Sequence, residues 1–317
     1  MQMTLKPLLF IGILILVIGA SFALITNLNK PIKEISTGRR EPVHDGIKNA
    51  VAGSWIPIER DINISQYFFY MDSLVNAYDS AVPYPLSEHL LARANPWIIE
   101  TLANTDYYRM MARDSFVYDQ KKLLVLRLSD SIMIPDSLSA VTILDSFKAT
   151  HLDINIPEFK LRIYRDTTLL FAFPVRVGKN QKKYLGMVDK AIDLRTKTGS
   201  GKIVRHEKDP DFYNPVNHER FYTTKRDDNK TTLMPQIPWI ETEINGVRNG
   251  QMIHPTTNPE TLGKPSSNGC IGTRESDAWI IYYYAPLETA ITIRYHLEFT
   301  NDKGQKLRLN DIYGYAH

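Results

Sequence analysis

The chain has 317 residues, 43% hydrophobic and 23% charged, a globular balance that excludes disordered, collagen-like and low-complexity proteins. Net charge is only +3 and the Lys and Arg residues are scattered, so composition gives a nucleic-acid binder no support. The single cysteine, Cys270, excludes an internal disulfide and a zinc site built on two to four cysteines.

Residues 8–25 (LLFIGILILVIGASFALI) carry no charge and follow Lys6. Such a run is long enough to cross a bilayer core as a helix and longer than the usual apolar core of a signal peptide. We therefore expect an N-terminal transmembrane anchor over 1–27, with a signal cleaved near Ser21 and Ala23 as the alternative. The body is then expected outside the cytoplasm, at the cell envelope or in the periplasm. Lys6 on one side and Lys30, Lys33, Arg39 and Arg40 on the other do not set the orientation by charge. Residues 28–60, polar and punctuated by Pro31, Pro42 and Pro57, read as a linker.

From 61 to 155 we expect a helical or α+β membrane-proximal module. Tyr67, Met71, Leu74 and Tyr78 recur at helical spacing until Pro83 and Pro85 break the run. Ser87–Ala94, Trp97–Leu102 and Tyr107–Ala112 suggest shorter helices, and LLVLRL (123–128) and SIMIP (131–135) suggest strands.

From 156 to 300 strand signals dominate. KLRIYRD (160–166) and TLLFAFPVRVG (168–178) read as a hairpin turning near Asp166 and Thr167, and KIVRH (202–206) and GQMIH (250–254) as further strands. Residues 207–248 are rich in charge, proline and aromatics and too long for a plain connection, so we expect a flap over a site or a partly ordered segment. Arg274–Tyr284 reads as one helix with Thr273 as its N-cap. The run 289–300 then pairs with 305–310 across Asn301–Gly304, giving 301–317 as a C-terminal hairpin and tail.

The chemistry concentrates in HPTTNPETLGKPSSNGCIGTR (254–274). Cys270 follows a glycine and precedes a helix start by a few residues. Free N–H groups and partial positive charge at a helix N-terminus lower a thiol pKa and stabilise a negative oxygen. His254, at a strand end, can be folded back toward it by the intervening loop. A Cys–His pair is the minimal apparatus for acyl transfer through a thioester. On these two residues alone an inert buried cysteine is the competing explanation.

The whole segment resembles the signature of the YkuD-type L,D-transpeptidases: a histidine, a Thr/Asn/Pro loop, then Ser/Thr-x-Gly-Cys and an aliphatic residue. His254, Asn258, Pro259, Leu262-Gly263-Lys264, Ser267, Gly269, Cys270 and Ile271 match it in one register. FPVRVGK (173–179) is similar to an early strand of the family and RTKTGSGKI (195–203) to one of its hairpins, so the resemblance spans about 156–298. Two positions depart. Pro255 stands where the family has glycine, and Gly272 where it has arginine; Arg274 is the candidate substitute.

The resemblance implies a β-sandwich-like catalytic domain in a chain that is α+β overall. It implies that Cys270 attacks a peptidoglycan stem peptide at its third residue, with His254 as base and then acid and the Pro255 carbonyl holding the imidazole tautomer. The N–H groups of Gly269 and Cys270 would receive the oxyanion, helped by Ser267. Asn268, which stands where many members have a second histidine, Arg274 and Trp279 are the remaining substrate-binding candidates, with core packing the simpler reading of Trp279 and of the comparable Trp239 in the expected lid. An amine on a second stem, or on a protein, resolves the acyl-enzyme behind a lid, for which 207–248 is the candidate. No metal, organic cofactor or nucleic acid is implied. The alternatives are an L,D-carboxypeptidase or hydrolase using the same site, and a non-catalytic wall-binding or regulatory protein.

Two other patterns are set aside. Thr198-Gly-Ser-Gly-Lys202 lacks phosphate-loop spacing and reads as a strand turn. His206, Glu207, Asp209, Asp211 and His218 read as a solvated loop, not as a metal set.

Overall fold

In a computed structural model of the protein, residues 52–186, 189–300 and 304–315 are described. The expected membrane span over 8–25 lies outside them. No helix among the described residues is long and apolar enough to cross a membrane.

Helix α1 (Ile64–Tyr78) starts at a capping box in which Asn63 and Gln66 bond each other's backbone N–H. It buries Ile64, Tyr67, Phe68, Met71, Leu74 and Tyr78, the stripe its spacing predicts. Helices α2 (Glu88–Ala94), α3 (Pro96–Ala103) and α4 (Tyr107–Met111) follow, opened by the Ser87 hydroxyl, by Pro96 and by the Asp106 carboxylate. The short strand Leu124–Leu126 pairs with Ile62–Asn63, and Ser131–Met133 pairs with Trp55–Pro57. Both strands therefore close back on the chain before α1 and make the module α+β. A further helix, α5 (Ser137–Ala149), capped by Asp136, leads into the main sheet.

That sheet has eight strands. They are β1 (Thr150–Asn155), β2 (Lys160–Arg165), β3 (Thr168–Pro174), β4 (Gly199–Glu207), β5 (Trp239–Ile244), β6 (Met252–Pro255), β7 (Ile271–Thr273) and β8 (Ala290–Arg294). Their spatial order is β7-β6-β5-β4-β8-β1-β2-β3. The pairs β6/β7 and β8/β1 are parallel, and the rest are antiparallel. The sheet thus begins at residue 150, ahead of the expected 156, and β5 runs through the middle of it from within the stretch expected to be a flap.

The two edges of the sheet meet. Just past β3, Arg176 donates its N–H to Gly272 O of β7 (2.9 Å), and Gly272 donates its N–H back to Arg176 O (3.0 Å). This seam makes the sheet barrel-like, so the two-sheet sandwich implied by the family resemblance is replaced by one sheet curled on itself. Side chains alternate across a strand. Leu161 and Ile163, Val175 and Val177, Ile253 and Ile271, and Ile291 and Ile293 accordingly fill the core.

Helix α6 (Glu275–Tyr284) is buried on nearly every side. Its N-cap is Arg274 rather than Thr273, which remains in β7. The helical module covers it. Phe68 stacks on Trp279 (ring centroids 5.9 Å), Tyr67 and Tyr283 hydroxyls lie 2.6 Å apart, and Glu88 accepts from Tyr283 (2.7 Å). One hydrophobic core therefore runs through module and sheet. After β8, Glu298–Thr300 pairs with Lys306–Arg308 in the expected hairpin.

Candidate active site

The candidate residues His254 and Cys270 lie at or next to the seam of the barrel. In β6 and β7, Ile253 pairs with Ile271 and His254 with Gly272. The isoleucines point into the core, so His254 and Gly272 share the opposite face. Cys270 sits just before β7 on a loop held at several points. Gly269 has φ +112°, a conformation open to glycine and rarely to other residues. Thr196 donates its hydroxyl to Gly269 O (3.0 Å). Tyr313, in the C-terminal tail, accepts from the Thr196 N–H (3.1 Å) and donates to Gly178 O (2.7 Å).

His254 Nδ1 lies 2.8 Å from Pro255 O. A carbonyl only accepts, so Nδ1 carries the hydrogen and Nε2 is left as the base. Proline at 255 keeps this acceptor. Trp239 of β5 stacks on the imidazole, with ring centroids 4.4 Å apart and planes at 22°. Burial, and then the positive charge of Arg176, lower the His254 pKa to about 4 against the opposing pull of the Pro255 carbonyl. The ring is therefore neutral at pH 7.

Cys270 is partly exposed, and its Sγ lies 4.0 Å from Gly250 O. Thiol and imidazole make no direct hydrogen bond among the described residues. Such contacts often tighten only when substrate is bound. Burial pushes the Cys270 thiol up, while the backbone of Met252 and the Arg176 guanidinium pull it down. The lowered thiol expected from a nearby helix start is thus overruled, because a strand, Ile271–Thr273, separates Cys270 from α6. At rest Cys270 is therefore a thiol and His254 a neutral imidazole.

The other expected site residues divide. Ser267 is buried; its hydroxyl donates to Cys270 O (2.5 Å) and accepts from Gly269 N–H (3.2 Å). Ser267 therefore shapes the loop, and the Gly269 N–H expected for an oxyanion is already engaged. The Cys270 N–H has no protein acceptor among the described residues. Asn268 and Arg274 are exposed. Trp279 is fully buried against Phe68 and is a core residue, not a groove wall.

The expected lid is pinned in place. Its strands Thr223–Lys225 and Thr231–Leu233 form a hairpin. At the turn, Arg226 makes a fully buried ion pair with Glu275 of α6 and bonds Gln120 (2.7 Å), which in turn bonds Glu275 (2.7 Å). Tyr107 donates to Asp228 (2.7 Å), and Thr224 and Thr257 hydroxyls lie 2.9 Å apart. The segment is a wall wedged between the helical module and the loop after His254. Trp239, the aromatic candidate of the expected lid, stacks on His254, whereas Arg176, within the FPVRVGK strand, escaped the sequence reading because it lies outside the 254–274 segment.

No group of three or more His, Cys, Asp or Glu side chains among the described residues is placed to hold a metal ion. His206, of the acidic and histidine-rich stretch, instead stacks on His89 (5.1 Å) and reaches Ala285 O (3.1 Å).

Among solved structures, the chain is similar to an L,D-transpeptidase from Mycobacterium smegmatis, at 14% identity and TM-score 0.32, over 46% of this chain and 58% of that one. It is similar to an L,D-transpeptidase from Mycobacterium tuberculosis H37Rv, at 14% identity and TM-score 0.31, over 54% and 64%. A third, L,D-transpeptidase 3 from Mycobacterium tuberculosis with a faropenem-derived adduct, has 14% identity and TM-score 0.32, over 54% and 66%. The chain thus spans less than two thirds of the length of each of these structures. No curated protein matches it. The family model of the YkuD L,D-transpeptidase catalytic domain matches residues 149–293, from the end of α5 to the end of β8.

Proposed function

We propose that the protein is a cell-wall L,D-transpeptidase that passes a peptidoglycan stem peptide through a thioester on Cys270. The observation that carries this is the Nδ1 contact of His254 with Pro255 O at the barrel seam, which leaves Nε2 as the base on a strand paired with the segment that follows Cys270. As the Cys270 Sγ attacks the carbonyl carbon of the stem's third residue, its proton passes to His254 Nε2. The oxygen becomes negative and is met by the Cys270 N–H. Collapse breaks the C–N bond, and His254 returns the proton to the leaving amine. An acceptor amine then attacks the thioester, gives a proton to His254, and releases the sulfur as thiol.

The uncharged run 8–25 supports a location outside the cytoplasm, with the chain held at the membrane. The purified protein, given a stem tetrapeptide and an amine acceptor, is expected to yield cross-linked product and free terminal amino acid. Tripeptide without cross-linked product would make it a hydrolase. No turnover of any kind would leave a wall-binding protein.

A further inference from the structure

Among the described residues Arg176 makes no ion pair, although the charge of Asp227 acts on it. Among the described residues its buried Nε has no hydrogen-bond partner, and the guanidinium makes only a long contact to Thr261 Oγ1 (3.4 Å). No carboxylate among the described residues lies within ion-pair distance of it. Buried polar and charged groups are normally paired, because leaving one unpaired costs free energy. A guanidinium in this condition beside a reaction site calls for a ligand.

Its placement follows from the seam. Gly272 pairs with His254 on one side and with Arg176 on the other, so the three residues stand in a row across three adjoining strand segments. Residues directly opposite across strands share a face. Gly272 has no side chain, and Arg176 lies over it: a Cβ at 272 would sit 2.5 Å from Arg176 Nε and 2.7 Å from its Cγ. The glycine is the passage by which the guanidinium crosses toward His254 and Cys270. Its charge acts on both, lowering each pKa. The space of the arginine that the YkuD motif carries at this position is thus filled by an arginine from the opposite edge of the sheet, and Arg274 stands exposed and apart.

The donor chemistry names the anion. When a peptide is cleaved at its last bond, the attacked carbonyl carbon and the free carboxylate carbon are separated by one N and one Cα, about 3 to 4 Å at ordinary bond lengths. A cation for that carboxylate must therefore lie beside the nucleophile. We propose that Arg176, reaching over Gly272, binds the free C-terminal carboxylate of the donor stem and so selects donors whose leaving residue ends the chain. A guanidinium takes a carboxylate through two parallel N–H···O bonds, which fixes orientation as well as charge. This site rests on the transpeptidase reading above.

The test compares two donors on the full chain: a stem tetrapeptide with a free C-terminal carboxylate, and the same peptide as its C-terminal carboxamide. The readout is the ratio of their kcat/KM values. Wild type is expected to favour the carboxylate by about ten- to a hundredfold, the range of one charged hydrogen-bonded pair. Arg176→Gln should bring the ratio close to one. Gly272→Ala keeps the guanidinium but displaces it, and should also collapse the ratio, so the result does not depend on one variant folding. A wild-type ratio near one overturns the assignment. So does a preference that survives in Arg176→Gln or Gly272→Ala, including equal losses on both donors, which would assign Arg176 to the oxyanion. Failure of wild type on both donors strikes the proposed function itself.

Discussion

Trp239 stacks on His254 from the neighbouring strand, with ring centroids 4.4 Å apart. With the Pro255 carbonyl on Nδ1, it fixes both the plane and the tautomer of the imidazole. Trp239→Ala should lower the rate of acylation of Cys270 by about ten- to a hundredfold, since small misplacements of a reacting group carry losses of that size. Trp239→Phe should recover most of it. Stopped-flow acylation rates compared with thermal melts separate this from general destabilisation.

The acid limb of the pH–rate profile reports His254. Its pKa is lowered to about 4, so the base stays neutral, and activity should persist, well below the ordinary histidine range. Removing the nearby cation makes protonation easier, so Arg176→Gln should move this limb upward. A limb near 6.5 in wild type would contradict the burial argument.

The thiol should behave in the opposite sense. Burial raises the Cys270 pKa, so alkylation of the free enzyme should increase with pH through a midpoint above that of an ordinary thiol, about 8.5. Arg176 favours the thiolate, and Arg176→Gln should raise the midpoint further. Iodoacetamide kinetics across pH 6 to 11 measure both.

Arg226 and Glu275 anchor the hairpin wall to α6, each essentially free of solvent. Breaking such a pair leaves one buried charge uncompensated, at about 3–5 kcal/mol. Arg226→Met should therefore lower denaturation free energy by that order in urea unfolding. A change under 1 kcal/mol would show that the wall is not held by this pair.

Much of the site was legible because its two reacting residues fall in one contiguous motif. His254 and Cys270 need only local loop geometry to be recognised, and the apolar spacing of α1 and of the strands from 160 to 173 exposes their buried faces directly. What escaped lies in long-range register. Arg176 reaches the site only because the edges of the sheet close at Gly272, a pairing that no local pattern of either strand announces. Trp239 is legible as an aromatic candidate of the expected lid, but its stacking on His254 depends on the pairing of two strands that its charge- and proline-rich surroundings do not announce. For Trp279 the sequence leaves core packing and a groove wall both open, and Phe68 of the helical module, stacked on it, decides for the core. Helix α5 was hidden by its β-branched and serine-rich composition and by Leu138 and Val141, which are exposed rather than packed. Helix proximity in sequence predicts a lowered thiol pKa, but the strand Ile271–Thr273 stands between Cys270 and α6, and burial raises it instead.

The account turns on whether Cys270 is a working nucleophile. Incubation with a carbapenem followed by intact-protein mass and peptide mapping tests this most directly. One covalent adduct is expected, mapped to 254–274 and lost in Cys270→Ala, with formation slowed in His254→Ala. An unmodified wild-type mass, or an adduct that persists in Cys270→Ala, would contradict it.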